Sequence, residues 1–282
     1  MNEKDKKKIF SQVQNFPSMS GAAAKLLALL DDPDTTPGQI EEVVRYEPSL
    51  TANILKLSNS AYFGLPTKVG SVKQAIILLG WKRVTQVVMT SCVSALMAKP
   101  IVGYELPAGE LWRHSIGVSI AAEMLVKELK LQSAHEVYTA ALLHDLGKLI
   151  LGSFVKSELS VIEAKAADGI AFDEAERLVL GMDHAEVGAE ILKSWSLPAE
   201  VIEIVRWHHD PGRAVKPTVG IDIVHVANVL CLTMGIGIGR EGLRVELSPM
   251  VTARLGLKPA VLEIVASQTL QWVDELRDMF KK

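Results

Sequence analysis

The stretch "AALLHDLGKLIL", residues 140–151, is apolar enough for a buried helix, yet it contains three chargeable side chains. These are His144, Asp145 and Lys148, and their spacing places them near one another. Burying an imidazole, a carboxylate and an ammonium together is costly unless they pair or bind a ligand. The stretch therefore predicts a helical core and raises two alternatives, a working metal site and the remnant of one.

The composition is that of a globular protein. The chain has 282 residues, of which 49% are hydrophobic, enough for one large domain or two modest ones. Its net charge is −3, with charges of both signs along the chain, so nothing in its electrostatics favours a nucleic-acid partner. The basic run "EKDKKK", residues 3–8, is expected to form a short solvated arm.

The cysteines and the apolar segments predict a cytoplasmic protein. Cys92 and Cys231 lie in apolar surroundings, which fits reduced, buried thiols better than a disulfide. The N-terminus is charged and lacks the apolar core of a signal peptide. The longest apolar stretches, around 140–155 and 221–239, contain polar residues, so no membrane span is expected.

Hydrophobic periodicity predicts an all-α fold. Apolar residues recur at spacings of three and four almost everywhere, as at Leu26, Leu27 and Leu30, whereas strict alternation is hard to find. Helix starts are predicted at three capping sequences: Thr36 with Pro37, Ser71 with Gln74, and Asp183 with Glu186.

Two glycine-containing segments are candidates for a domain boundary and for a nucleotide-binding motif. Residues 97–109, "MAKPIVGYELPAG", contain two prolines and two glycines, and we take them as the boundary before the histidine-bearing half. Residues 237–242, "GIGREG", satisfy G-x-G-x-x-G but follow a helical run instead of a strand. We expect a helix end and turn there, with no dinucleotide site.

Polar side chains from four segments could converge on the opening stretch. Glu110 and His114 are four apart, hence on one helix face, and His184 lies at a helix N-terminus. Imidazole and carboxylate together suit Zn, Mn or Fe, and one aspartate can bridge two ions. The candidate ligands are Glu110, His114, His144, Asp145, His184, His208 and His209.

Each candidate also has a structural interpretation. A single histidine such as His114 is often a hydrogen-bonded core residue. Adjacent residues diverge by about 100° on a helix, so His208 and His209 can face one site only where their helix ends, before Pro211. We expect His135 to be exposed and His225 to pack or support a ligand.

The chain resembles the HD superfamily of metal-dependent phosphohydrolases, in which a lone His, an adjacent His-Asp and a later Asp hold the metal. A finer resemblance is to the HD-related output domain family, HDOD. It rests on "PSLTANILKLSNSAYFG" (48–64), "SVKQAIILLG" (71–80), "LLHDLGKLIL" (142–151) and "DHAEVGAEILKSWSLPAEVIEIVRWHH" (183–209). The first two segments distinguish this family from ordinary HD enzymes. The resemblance implies an HD-type helical bundle with an additional N-terminal helical lobe.

The candidate ligands also resemble those of the cyclic-di-GMP phosphodiesterases of the HD-GYP type, with Lys148 in the place of their active-site lysine. Two departures are visible. Asn228 stands where that family has an aspartate, and "DPGRAVKP" (210–217) lacks the glycine-tyrosine-proline signature. A neutral amide oxygen binds a hard dication more weakly than a carboxylate, so Asn228 is expected to be a weak ligand.

The resemblance therefore implies a bacterial signal-transduction output module with a retained metal site and little or no catalysis. The alternative is a metal-dependent phosphohydrolase or phosphodiesterase acting on a nucleotide or cyclic dinucleotide, with Asp145 and Lys148 as catalytic residues. One or two divalent ions are expected, Fe or Mn, with Zn or Ni as alternatives. The expected partner is a signalling protein or a small nucleotide ligand, and the sequence leaves the oligomeric state open.

The expected domain organisation is linear. An arm (1–14) precedes an HDOD domain (15–232), which comprises an N-terminal lobe (15–98) and an HD-like bundle (105–232). A C-terminal helical extension (233–282) follows. Within it, apolar residues recur at near-helical spacing and predict an amphipathic helix packed on the body: Val261, Ile264, Val265, Leu270, Val273 and Leu276.

Overall fold

The computed structural model describes residues 3–19, 21–32, 34–45, 47–131, 136–240 and 246–279. Within these ranges the chain forms fourteen α-helices and three short 3-10 helices, and no β-strand occurs there. The predicted all-α fold is confirmed. His135, which we expected to be exposed, lies outside the described residues.

The α-helices are α1 (Glu3–Gln14), α2 (Gly21–Asp31), α3 (Pro37–Arg45), α4 (Pro48–Ser58), α5 (Val72–Met97), α6 (Glu110–Glu128), α7 (Val137–Leu143), α8 (Lys148–Ala167), α9 (Phe172–Leu180), α10 (His184–Ser194), α11 (Ala199–Trp207), α12 (Val219–Thr233), α13 (Pro249–Leu255) and α14 (Pro259–Met279). The three predicted helix starts are confirmed. α3 begins at Pro37. At the start of α5, the Gln74 N–H donates to Ser71 Oγ at 3.1 Å. At the start of α10, Asp183 forms a capping box with Glu186.

The chain divides into two compact units. The first comprises Met1–Pro17 and Met97–Val273, and the second comprises Ser18–Leu96 and Asp274–Lys282. This division differs from the linear order expected from the sequence, because the first unit takes in the N-terminal segment as well as most of the C-terminal extension.

The first unit is built around α6 and α12. Both helices are buried along most of their length, and α6 contacts α7 and α12. The α7–α8 turn approaches α10 closely at Gly147, where an added Cβ would lie 2.0 Å from the His184 carbonyl oxygen. Only glycine fits this contact, which fixes the turn carrying His144 and Asp145 against the start of α10.

The segment 237–242, which imitates a dinucleotide motif, begins in the turn after α12 as expected; its last two residues lie outside the described ranges. Gly237 has a φ of +65°, and an added Cβ would lie 2.5 Å from His114 Cβ. The glycine is therefore required by its backbone conformation and by its close approach to α6.

The N-terminal segment is a helix, and the expectation of a solvated arm is corrected. Lys7 and Lys8 are exposed, but Ile9 and Val13 are buried, and α1 packs against α8 and α10. Four-residue spacing places both apolar side chains on one helix face. Burial of this face stabilises the packed helix despite the charged residues that precede it.

In the second unit, α5 is bent. Gly80 has non-helical angles, with φ 74° and ψ 168°, and the segments Val72–Trp81 and Arg83–Met97 are inclined by 115°. No single helix in the described ranges is both long enough and apolar enough to cross a membrane. The two segments of this bent helix together reach that length and apolarity, which is a statement about length and composition alone.

The C-terminal extension contains the predicted helix, α14. Val265 and Val273 are fully buried, whereas Ile264 and Leu270 are exposed by 42% and 49%. The buried face is therefore narrower than the sequence pattern suggested. Both cysteines are free: Cys231 is buried and Cys92 partly so, and burial raises the pKa of the Cys92 thiol to about 12.

Candidate metal centre

Five elements of the first unit bring polar side chains to one point. His114 lies on α6, and His144 and Asp145 lie in the turn between α7 and α8. His184 is the first residue of α10. α11 ends at Trp207, so His208 and His209 lie where the helix stops and can both face the centre, with ring centroids 4.0 Å apart. Asn228 lies on α12.

The candidate ligand atoms form two groups that share Asp145. Asp145, His184, His208 and His209 each offer one ligand atom within 4.8 Å of the others, and we call them the Oδ1 group. His114, His144 and Asp145 do the same and form the Oδ2 group. The names follow the nearest carboxylate oxygen: His184 Nε2 lies 3.4 Å from Oδ1, and His144 Nε2 lies 3.3 Å from Oδ2.

Four of the histidines are oriented in the same way. In each, Nδ1 lies within hydrogen-bond distance of an oxygen acceptor and Nε2 points toward the centre. When Nδ1 carries the proton, Nε2 presents a lone pair, as in histidines that bind metals. The Nδ1 partners are the Ile236 carbonyl for His114 (2.8 Å), the Ala141 carbonyl for His144 (2.7 Å), the Glu176 carboxylate for His184 (2.7 Å) and the Val205 carbonyl for His208 (2.7 Å).

Two buried acceptor atoms in the Oδ1 group make no hydrogen bond. They are Asp145 Oδ1 and His208 Nε2, which lie 4.0 Å apart. Leaving such atoms unsatisfied in the core costs free energy, whereas a cation between them would satisfy both. Three imidazoles and one carboxylate are also a normal donor set for a transition-metal ion. The residues therefore fit a divalent metal ion.

The pKa values keep most of these donors free of protons. Burial would raise the pKa of Asp145, but the charges of His144 and Lys148 outweigh it and hold it well below the usual range. Burial lowers the pKa of His114 to about 4 and takes those of His208 and His209 well below 6.5. At neutral pH these groups are a carboxylate and neutral imidazoles.

His184 behaves differently because it contacts a buried carboxylate. Glu176 Oε2 accepts hydrogen bonds from the His184 backbone N–H at 3.0 Å and from Nδ1 at 2.7 Å. Burial alone would lower the pKa of His184, but the Glu176 charge raises it to about 9. In the metal-free protein His184 is therefore protonated, and its Nε2–H points at His209 Nε2, 2.7 Å away.

Lys148 forms an ion pair with Asp145. Its Nζ donates to Oδ2 at 2.6 Å and lies 5.4 Å from the centre of the Tyr104 ring. The Lys148 side chain is 2% exposed. The lysine that the sequence suggested for phosphate binding thus forms a buried ion pair with the shared aspartate.

The His114 ring faces oxygen atoms on both sides. Its Nδ1 points at the Ile236 carbonyl, and its Nε2 lies 3.0 Å from Asn228 Oδ1. A neutral imidazole donates from only one nitrogen, so one of these contacts requires a cation between the atoms or the amide turned over. The structure thus places Asn228 beside the Oδ2 group as a neutral neighbour of His114.

Sequence comparison identifies the family. The HDOD domain model matches residues 16–211 of this chain. The chain belongs to the HDOD domain family. Its fold resembles that of a Shewanella amazonensis SB2B protein provisionally described as a phosphohydrolase, with 24% identity and a TM-score of 0.75 over 97% of this chain and 98% of that one.

The fold also resembles that of a Marinobacter aquaeolei VT8 protein provisionally described as a signal transduction protein. The identity is 20% and the TM-score 0.72, over 98% of this chain and 64% of that one. An uncharacterized protein of Treponema pallidum (strain Nichols) is 22% identical over 204 residues, which are 72% of this chain and 39% of that protein. The aligned region thus spans less than half of this relative.

One candidate ligand of the HDOD domain does not reach the centre. Glu110 is four residues before His114, but it is the first residue of α6, and its carboxylate lies 3.7 Å from the Arg113 guanidinium with 30% of the side chain exposed. It is in neither ligand group found among the described residues. The helix end leaves its side chain free to turn toward solvent.

Two residues that support the centre were missed from the sequence. Glu176 is fully buried on α9 and holds His184, while the Tyr104 hydroxyl donates to Glu176 Oε1 at 2.6 Å. A helical wheel of α9 would have revealed Glu176, because it lies on the same face as the buried Phe172 and Leu180.

His225, on α12, supports a candidate ligand of the centre, which is one of the two roles expected for it. Its Nδ1 donates to the His208 carbonyl oxygen at 2.9 Å, and its Nε2 accepts the Ser248 N–H at 3.2 Å. Both ring nitrogens are therefore used in fixing the backbone around His208, and neither is available as a ligand.

Proposed function

We propose that this HDOD domain is a regulatory output module that binds a divalent metal ion and has little or no hydrolytic activity. The observation that carries the proposal is the burial of an acceptor-rich centre. Asp145 is 1% exposed and Lys148 is 2% exposed. Two buried acceptor atoms of the centre, Asp145 Oδ1 and His208 Nε2, make no hydrogen bond. Such a centre suits an ion, whereas a hydrolase must also admit a phosphate ester.

The Oδ1 group would hold the ion. Its three imidazoles and one carboxylate favour Fe or Mn, with Zn or Ni as alternatives. A bound divalent ion would lower the pKa of a coordinated water and hold phosphate oxygens. The chain's own contribution is to orient His184 and His208 through their Nδ1 contacts and to bury the carboxylate of Asp145.

The output role is supported by where the centre lies. Its residues come from the end of α7, the start of α10, the end of α11, the second turn of α6 and the interior of α12. Binding of an ion stabilises the arrangement of these helices by mass action, and so alters the surface that a partner contacts. A cytoplasmic signalling protein, or a small nucleotide, is the proposed partner. The Marinobacter relative's provisional description agrees with this role.

A metal-dependent phosphohydrolase acting on a nucleotide or cyclic dinucleotide is the second candidate. It is favoured by Lys148, which lies beside Asp145 where an ammonium would neutralise phosphate charge, and by the provisional description of the Shewanella relative. Asp145 and Lys148 would then be the catalytic residues. Asn228 opposes this candidate, because it brings no negative charge to the Oδ2 group.

Metal analysis combined with an activity screen tests the proposal. The wild-type protein is stripped with a chelator, reloaded with Fe(II) or Mn(II), and assayed against cyclic dinucleotides and phosphomonoesters. We expect bound metal and no turnover above that of an Asp145→Asn variant. Turnover that disappears in Asp145→Asn would overturn the regulatory proposal, and failure to bind any divalent metal would overturn the metal site.

A further inference from the structure

The two oxygens of Asp145 differ in their charge environment. Lys148 Nζ donates to Oδ2 at 2.6 Å, and both side chains are buried. Oδ1 accepts no hydrogen bond and faces His184 Nε2 at 3.4 Å. Lys148 therefore occupies the Oδ2 side of the carboxylate, whereas the Oδ1 side faces the ring of a candidate metal ligand.

The backbone holds Lys148 in this position. It is the first residue of α8, and its N–H donates to the Asp145 carbonyl at 3.0 Å. The preceding residue, Gly147, packs so tightly on α10 that no side chain would fit. The Tyr104 ring lies 5.4 Å from the ammonium. The ion pair is thus built into a fixed turn and shielded by an aromatic ring.

The remaining donors beside Oδ2 include no second carboxylate. His114 and His144 are imidazoles, and Asn228 contributes an amide. Asp145 is thus the one carboxylate of this group, and its Oδ2 already pairs with the ammonium of Lys148. An ion in the Oδ1 group would lie at the carboxylate oxygen that makes no hydrogen bond, whereas a second ion in the Oδ2 group would lie beside the buried ammonium.

We infer that Lys148 takes the place of one metal ion, so that this chain binds a single ion, in the Oδ1 group. The inference rests on the proposed function, since it requires that the centre bind metal. It assigns to Lys148 the role of an internal counter-ion, which limits the stoichiometry of the site.

The first test is the stoichiometry of the wild-type chain. Stripped protein is dialysed against excess Mn(II), and bound manganese is measured by mass spectrometry together with the electron paramagnetic resonance spectrum. We expect one ion per chain with the spectrum of an isolated Mn(II). Two ions per chain, or a spectrum of a coupled pair, would overturn the inference. No bound ion would overturn the proposed function itself.

The second test locates the ion. His209 belongs to the Oδ1 group and is partly exposed, whereas His114 belongs to the Oδ2 group. We expect His209→Ala to weaken Mn(II) binding at least ten-fold and His114→Gln to change it by less than three-fold, with both variants checked for an unchanged circular dichroism spectrum. Equal weakening by the two variants would overturn the inference.

The third test creates the second site. The double variant Lys148→Met with Asn228→Asp removes the ammonium and adds a carboxylate beside His114. We expect its stoichiometry to rise to two ions per chain, with a coupled Mn(II) spectrum. A folded double variant that still binds one ion would contradict the role of Lys148. If this variant does not fold, the comparison of His209→Ala with His114→Gln still decides.

Discussion

The two ligand groups around Asp145 contain similar donors but have different neighbours. In the Oδ1 group, His184 is held by the buried carboxylate of Glu176. In the Oδ2 group, His114 has the neutral amide of Asn228 beside it, and the shared carboxylate carries the ammonium of Lys148. Two groups with similar ligands can therefore differ as metal sites because of the charged side chains that contact those ligands.

The anchoring of the imidazoles shows the same contrast. His114 and His144 contact backbone carbonyls through Nδ1, whereas His184 contacts a carboxylate. An anionic partner raises the basicity of the ring and therefore its strength as a ligand. The Oδ1 group thus combines the stronger donor with the unsatisfied acceptors.

The largest effect is expected for Asp145→Asn, which removes the charge common to both groups. In the metal-free protein the buried ammonium of Lys148 would then lose the carboxylate with which it pairs, and the free energy of unfolding should fall by about 3 to 5 kcal/mol. Urea denaturation in the presence of a chelator measures this loss. Asp168→Asn, at an exposed position after α8, is the control and should stay within about 0.5 kcal/mol. A similar small change in both variants would show that the ion pair contributes little.

The pH dependence of stability should reveal the carboxylate behind His184. The pKa of this imidazole is raised from 6.5 to about 9 in the folded, metal-free protein. A raised pKa means tighter proton binding in the folded state, so the stabilisation is complete below pH 6.5 and disappears as the pH rises through 9. Its size is about 3 kcal/mol.

Urea denaturation of chelator-treated protein at several pH values would measure this decline. The pH values should run from about 6 to about 9.5, so that they include the ordinary and the raised pKa of His184. In Glu176→Gln the charge that raises the pKa is absent, so the variant should lack the decline over this range. Parallel profiles for wild type and variant would contradict the assignment of a protonated His184 in the metal-free protein.

Glu176→Gln should also weaken metal binding by about 10 to 100-fold. The amide oxygen can still accept both hydrogen bonds from His184, so the geometry is kept and only the charge is lost. Isothermal titration with Mn(II) measures the affinity. Glu174→Gln, on the same helix and half-exposed beside Arg177, is the matched control and should change the affinity by less than about two-fold.

Much of the fold was predictable because helix signals are local. The starts of α3, α5 and α10 follow from capping residues that contact their own helix within three or four positions. The placement of α1 was not predictable, because the helix begins with a mostly basic run and only two of its apolar residues, Ile9 and Val13, are buried. Their burial depends on contacts with α8 and α10. Contacts between distant segments leave no such local signal.

The site was predictable in its ligands but not in their surroundings. The resemblance to HD proteins indicated the histidines and Asp145 that the structure brings together. It also suggested Glu110, for which helical spacing alone gave the wrong direction at the first residue of α6. Glu176 was missed because acidic residues are common on exposed helix faces, and only its tertiary burial distinguishes it from Glu174.

The smallest effect on metal binding is expected for Asn228→Ala. Asn228 contacts His114 at Nε2, which faces the centre, and Glu176 contacts His184 at Nδ1, so each of the two variants changes one histidine partner, on opposite sides of Asp145. Loss of the amide contact should reduce the free energy of unfolding by about 1 to 2 kcal/mol. The Mn(II) affinity should change by less than about two-fold, because the ion lies in the other group and needs no contribution from Asn228. A loss as large as that of Glu176→Gln would mean that the ion is shared by both groups, and the distinction between the two sides of Asp145 would then fail.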